Sequence, residues 1–329
     1  MSTVAVSGAR PARRSRIRPL DIVLRYGTGV CALSTAVIVF LIAAFLVYYA
    51  YPAVRFNGAG ILSGLQWNIG NQYGTGVENH GGFVGEPGAS FGGLVFITGT
   101  LLSSAIAMLI ATPLAILCAI AMHYRVPHRL KTPVNTLVEL MAGVPSVVYG
   151  VWGVGVLVPW IAARFGGSGG ATSGYGLLSC SFILAVMVFP IMAATMRDVI
   201  SRFPTITFEG AVGLGATTWQ SVTNLVLPAI RPQMFAAMML ALGRALGETM
   251  AVLMVCGSAL NQLPQGMFSP INTIAAVIVS QLDSSLTDPT GMAERSLAEL
   301  ALILFAITLS VNLIARLIMR GGDRVKRTV

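Results

Sequence analysis

Long apolar runs alternating with short polar stretches dominate the chain. Six of the runs, at about 26–50, 94–122, 133–162, 177–196, 233–257 and 297–319, are long enough to cross a bilayer as helices. A spanning helix needs about 20 predominantly apolar residues to pass roughly 30 Å of hydrocarbon. A further apolar stretch, INTIAAVIVSQL at about 271–282, is too short to span and is expected at the outer surface or re-entering the bilayer. The pattern predicts an all-α polytopic membrane protein with six transmembrane helices.

Composition agrees: of 329 residues, 55% are hydrophobic and 10% charged, and the mean hydropathy of +0.78 lies well outside the soluble globular range. The net charge of +9 would suit nucleic acid or a membrane topology signal, and its distribution decides between them. Of the 21 Lys and Arg residues, 17 fall on one face: the N-terminal tail, 123–132, 197–232 and the C-terminal end. The opposite loops hold only Arg55, Arg164 and Arg295, and Arg244 lies within a span. The positive-inside rule then predicts both termini in the cytoplasm, and nucleic-acid binding is excluded. The apolar run after the basic tail is longer than a signal-peptide core and is expected to be a retained first helix. Cys31, Cys118, Cys180 and Cys256 show no ligand-like spacing and read as packing residues.

Enzymatic motifs are missing. The only lysines, Lys131 and Lys326, stand in no phosphate-binding loop, so the chain cannot hydrolyse ATP alone. Neither H-E-x-x-H nor G-x-S-x-G occurs. The sequence therefore points to transport, with no cofactor or metal in this chain.

Three segments carry candidate chemistry. In the fifth run, LALGRALGETMAV sets Arg244 and Glu248 at i and i+4, one helical turn apart on one face and near enough to pair. A central Arg costs about 2.5 to 3.5 kcal/mol on insertion scales, so it should face the bundle interior or a wet cavity. A structural ion pair and a substrate path are both compatible with the two charges alone. The flanking small pairs Gly243/Gly247 and Ala241/Ala245 favour a packed crevice and hence a path, in which the guanidinium fork suits an oxyanion. In the third run, Pro145 should break the helix near Gly143 and start a half-helix at Pro145 and Ser146, whose positive end favours anions; an ordinary proline kink is the alternative. Glu139 reads as a helix–helix polar contact. The third segment is the inner loop 197–232, which reads as two helical pieces, about 207–214 and 218–225, separated near Gly213 and Gly215; an amphipathic pair on the membrane surface is the plain reading.

The residues of that loop resemble the coupling motif Glu-Ala-Ala-x3-Gly-x9-Ile-x-Leu-Pro of permease subunits in binding-protein-dependent ABC importers: Glu209, Gly210, Ala211, Gly215, and Leu225 to Pro228. Gly210 departs from the pattern's Ala, weakening local helix propensity by about 1 kcal/mol. The segments ELMAGVPSVVYGVWG and LALGRALGETMAVLMVCG, with Trp67-Asn68 in the first outer loop, resemble the PstC-type permeases of phosphate-specific ABC transporters over about 56–320.

The resemblance implies a MetI-like type-1 ABC permease architecture in the inner membrane. Its divisions would be a basic tail (1–25), a first helix with outer loop (26–93), a core (94–318) with the coupling loop, and a short tail (319–329). It implies four kinds of partner: a second, PstA-type permease, two PstB-type ATP-binding subunits carrying ATP and Mg, a PstS-type extracytoplasmic phosphate-binding protein, and the lipid bilayer. Inorganic phosphate would pass Arg244 and Glu248, while the coupling loop docks on the ATPase through Glu209 and turns at Gly215. A permease for sulfate or molybdate, and a non-transporting membrane sensor or scaffold, are the rival readings.

Overall fold

The computed structural model describes residues 19–71, 74, 76–166 and 173–325. Most of the basic tail 1–25, the end of the tail 319–329 and part of the loop 163–176 lie outside the described residues. Helix α1 (Pro19–Asn57) spans two compact units, the first ending at Tyr48 and the second beginning at Tyr49. In the first unit Leu33, Phe40 and Leu41 are all exposed, as a lipid-facing helix requires.

The second unit opens with a small cap of α2 (Gly60–Ser63), β1 (Trp67–Asn68), β2 (Glu78–His80), β3 (Phe83–Gly85) and β4 (Ser90–Phe91). Strands β1 and β4 pair antiparallel with Trp67 opposite Phe91, and β2 pairs with β3. Trp67 is buried, edge-on to Phe91 at 5.1 Å and to Phe96 at 5.6 Å, and its backbone N–H donates to Asn261 Oδ1 at 2.7 Å. This Gly- and Asn-rich loop is thus ordered around one aromatic core.

Next come α3 (Leu94–Ile120), extended by a π-helical turn at Ala121–Arg125, and α4 (His128–Ala142). After a break, α5 (Ser146–Trp152) runs through a second π-helical turn into α6 (Val158–Phe165), and α7 (Leu177–Ser201) follows. Helix α8 (Thr205–Gly213) and α9 (Thr218–Ser221) form the connection after α7; a third π-helical turn, Val222–Val226, joins α9 to α10 (Leu227–Leu246). The chain closes with α11 (Met250–Val255), α12 (Ile274–Ser285) and α13 (Met292–Val325).

Among the described residues, six helical runs are long and apolar enough to cross a membrane: 26–57, 94–125, 146–165, 177–201, 218–246 and 292–317. The number matches the expectation, but the bounds move. The third run starts at Ser146 rather than 133, because α4 is an amphipathic helix of its own, with Pro133 inside it and polar residues throughout HRLKTPVNTLVELMA. The fifth starts at 218 and stops at Leu246, where Gly247 ends α10; the single span expected at 233–257 is therefore broken.

At the centre, α3 packs along α7. Ala107, Ala111, Ala115 and Ala119, four residues apart, form a stripe no more than 1% exposed, and their small side chains let α7 approach with Cys180, Ile183, Leu184 and Met187. Helix α12 resolves the apolar stretch before the last span: Ile274 to Val277 are buried, and the Ile274 N–H donates to Thr100 Oγ1 on α3 at 2.9 Å. A side chain at Gly99 would run into the Asn272 carbonyl, so only glycine permits this crossing.

Candidate functional site

Arg244 lies in the last turn of α10, where a cation meets the negative end of the helix dipole, a gain of about 0.3 to 1 kcal/mol. Glu248 does not pair with it. The only ion pairs among the described residues belong to Arg197, and the i to i+4 geometry fails because the helix does not continue: Gly247 caps α10 and α11 starts only at Met250. Glu248 turns the other way, and its Oε1 accepts the Ala251 N–H at 3.4 Å, satisfying one of the orphan donors at the start of α11. The expected pair is therefore corrected to a cation and a capping carboxylate on opposite sides of a helix break.

That leaves the guanidinium exposed, with no hydrogen bond or ion pair among the described residues. The crevice expected on both flanks exists on one only. Ala241 and Ala245 are buried against the bundle, whereas a methyl group added at Gly243 would touch nothing in the chain. Leu240, one turn before Arg244 on α10, and Met250, the first residue of α11, are exposed as well. Arg244 thus stands on an apolar face that the chain itself leaves uncovered.

The break before α5 agrees with the sequence reading. Gly143 ends α4, and Pro145, extended at φ −57° and ψ 137°, precedes Ser146 as the first residue of α5. Ser146 and Pro145 lie at the beginning of the third apolar run rather than in its interior, since α4 is not part of that run. Tyr149 bridges the break, its hydroxyl donating to the Met141 carbonyl at 2.8 Å. Helices α5 and α11 meet closely: the place of a side chain at Gly150 is taken by Ala251 and Met254. Both broken runs therefore pack side by side, although no hydrogen bond joins Arg244 to Ser146. Glu139 is the polar contact expected of it, accepting from Arg197 Nη2 of α7 at 3.2 Å, while Asp198 accepts from the same nitrogen at 2.8 Å.

In the inner-loop motif of the sequence reading, Glu209, Gly210, Ala211 and Gly215 sit on α8 and the turn after it. The turn is a Schellman motif: the Ala216 N–H donates to the Ala211 carbonyl at 3.2 Å and the Gly215 N–H to the Val212 carbonyl at 2.9 Å. It requires a left-handed residue, and Gly215 has φ +93°. Thr217 then opens α9 with a reciprocal capping box to Gln220. The second helical piece, expected at about 218–225, runs on through the π-helical turn into α10, and Pro228, two residues past that turn, leaves the continuous helix one N–H short there.

Helix α8 buries none of its residues. Glu209 is exposed, and Ile206 and Leu214 are 83% and 92% exposed, a solvent-facing apolar pair of the kind that marks an interaction surface. Two features escaped the sequence reading. Phe208 of α8 stacks on Tyr124 in the π-helical turn after α3, with ring centroids 4.8 Å apart, and Arg197 clamps α4 to α7. Partners 84 and 58 positions apart leave no local pattern to read.

A model of the binding-protein-dependent transport system inner membrane component family matches residues 111–324. The phosphate transport system permease protein PstC 1 of Mycobacterium tuberculosis is 42% identical over 295 residues, covering 85% of this chain and 86% of that one. The phosphate transport system permease protein PstC of Mesorhizobium japonicum is 34% identical over 334 residues, covering 97% of this chain and 96% of that one. Among solved structures, a chain of a bacterial alginate ABC transporter in complex with an alginate pentasaccharide-bound periplasmic protein superposes with a TM-score of 0.58 at 17% identity, covering 92% of this chain and 98% of that one.

Proposed function

The chain belongs to the binding-protein-dependent transport system inner membrane components, in their phosphate-transport branch, and on that premise we propose that inorganic phosphate crosses the membrane along the uncovered face beside Arg244. It is a multi-pass permease subunit of a phosphate ABC importer, and ATP hydrolysis lies on separate subunits. One observation carries the proposal about the path: an unpaired guanidinium exposed among apolar residues, on a face the chain leaves open. An uncompensated cation among apolar residues is tolerated only where water or a counter-ion reaches it. A planar fork of five donors matches a tetrahedral oxyanion.

In this reading the open face is completed by a second, PstA-type permease. Two PstB-type subunits binding ATP and Mg dock on α8 through Ile206, Glu209 and Leu214, with Gly210 and Ala211 giving the helix its slim back and Gly215 and Pro228 fixing its exit. A PstS-type protein delivers phosphate to the outer cap. Both termini are cytoplasmic, and the core runs over 94–318 behind the first helix and outer loop. Closure of the ATP-binding pair moves α8 and opens the permease outward; phosphate enters beside Arg244, with Pro145 and Ser146 lining the path, and the reset opens it inward. Glu248, held as a cap, keeps Arg244 free to bind and release.

The test is ATP-driven phosphate accumulation in proteoliposomes holding the complete complex. Arg244→Gln is expected to lower uptake by roughly 100-fold or more, the loss of about 3 kcal/mol that a charge-assisted contact supplies, with the partner subunits still co-purifying. Excess sulfate or molybdate should not compete. Unchanged uptake by the variant would return Arg244 to a structural role, and competition by sulfate would move the substrate to another oxyanion.

A further inference from the structure

We propose that the stacked pair Phe208–Tyr124 is the link that carries movement of α8 into the membrane bundle, an inference resting on the reading of α8 as the ATPase-docking helix. Helix α8 hardly belongs to the body it must move. It buries no residue, and only Phe208 and Ala211 within it are even half-buried. Phe208 lies face to face with Tyr124, at 4.8 Å between centroids and 27° between planes. Apart from its chain joints to α7 and α9, α8 thus meets the bundle core through this ring.

The receiving side is built to pass the push on. Tyr124 occupies the π-helical turn Ala121–Arg125, which extends α3 and aims the ring at α8. His123 packs edge-on against Tyr124 at 4.6 Å, and the His123 carbonyl accepts Lys131 Nζ of α4 at 2.9 Å, so the base of the ring is tied to two helices. From there α3 runs into the alanine stripe that packs along α7. A close-packed seam of small side chains compresses little and transmits displacement. Helix α7 in turn packs against α10 and α11, the two helices on either side of the break that holds Arg244.

The other end of α8 is stiff. The Schellman turn at Gly215 and the capping box of Thr217 and Gln220 fix α8 to α9, which continues into α10. Helix α8 is thus a short lever with a rigid joint toward α10 and a ring contact toward α3. Without the ring contact, α8 can still follow the ATPase but slips past α3. Phe208 is a positioning residue in this sense: it touches neither nucleotide nor substrate.

The complete complex in proteoliposomes, with binding protein present, tests this by comparing phosphate accumulated with ATP hydrolysed. Phe208→Ala and Tyr124→Ala are each expected to lower uptake per ATP about tenfold, within the usual range of coupling between sites, while hydrolysis and co-purification of the ATP-binding subunits persist. Phe208→Tyr, which keeps the ring, should restore the ratio. The double variant should be no worse than either single one, because both remove one contact. Uptake and hydrolysis falling in proportion, or losses that multiply in the double variant, would overturn the proposal. So would a Phe208→Ala complex stripped of its ATP-binding subunits beside a Tyr124→Ala complex with normal uptake, since Phe208 would then belong to the docking surface. Failure of the docking reading itself looks different: Ile206→Asp and Leu214→Asp would leave the ATP-binding subunits bound.

Discussion

At the scale of single residues, the decisive finding is that two charges four positions apart do not meet. The spacing of Arg244 and Glu248 predicts a pair, and it fails because one glycine ends the helix between them. Gly247 is weak evidence in a sequence, since a helix interior tolerates glycine for about 1 kcal/mol, and only the surrounding packing decides whether it continues or caps. Glycines differ by site in a way that can be measured. Gly99→Ala would force a side chain into the Asn272 carbonyl and should cost about 1 to 3 kcal/mol, seen as a lower unfolding midpoint of the purified chain. Gly243→Ala meets nothing and, in a helix, should be neutral or stabilise by about 0.5 to 1 kcal/mol in the same measurement. If the two behave alike, the packing around one of them differs from this description.

At the scale of elements, the breaks matter more than the spans. Pro145 announced its break because its ring forbids helical geometry at Val144, and the start of α5 agrees with that expectation. The three π-helical turns each end two residues before a proline, Pro127, Pro159 and Pro228, whose missing N–H and ring disturb the preceding helical turn, a signal the sequence reading did not use. The turn after α8 was legible at Gly215 but its mechanism was not, because the Schellman bonds and the capping box become visible only with the backbone in place. Gly215→Ala imposes a left-handed conformation on a residue with a side chain, at about 1 to 2 kcal/mol, and should loosen α8 from α9. The expected readout is weaker retention of the ATP-binding subunits on purification, with the bundle's unfolding midpoint little changed. Full retention would mean that docking does not depend on the orientation of α8.

At the scale of the whole molecule, hydropathy alone yielded the number of spans, because length and apolarity are set by the bilayer and not by neighbouring helices. The small cap stayed hidden, since two-residue strands such as β1 and β4 in a Gly-rich loop are held by Trp67, Phe91 and Phe96 rather than by their own propensity. Topology carries its own test: with the other cysteines replaced, Leu214→Cys should react with a membrane-impermeant thiol reagent only from the cytoplasmic side and Val77→Cys only from the opposite side. Both positions are exposed, and the reverse result would invert the assignment drawn from the basic residues. The face around Arg244 is where the chain is unfinished, and the account turns on whether a phosphate path runs there. The most direct measurement places a cysteine at 244 in the same background, assembles the full complex, and attaches a positively charged ethylammonium group through a disulfide. The account predicts that Arg244→Cys does not take up phosphate, that the reagent reaches the thiol from water and is slowed by phosphate, and that the restored charge recovers part of the uptake. A thiol that never reacts, or uptake indifferent to the charge at this position, would contradict it.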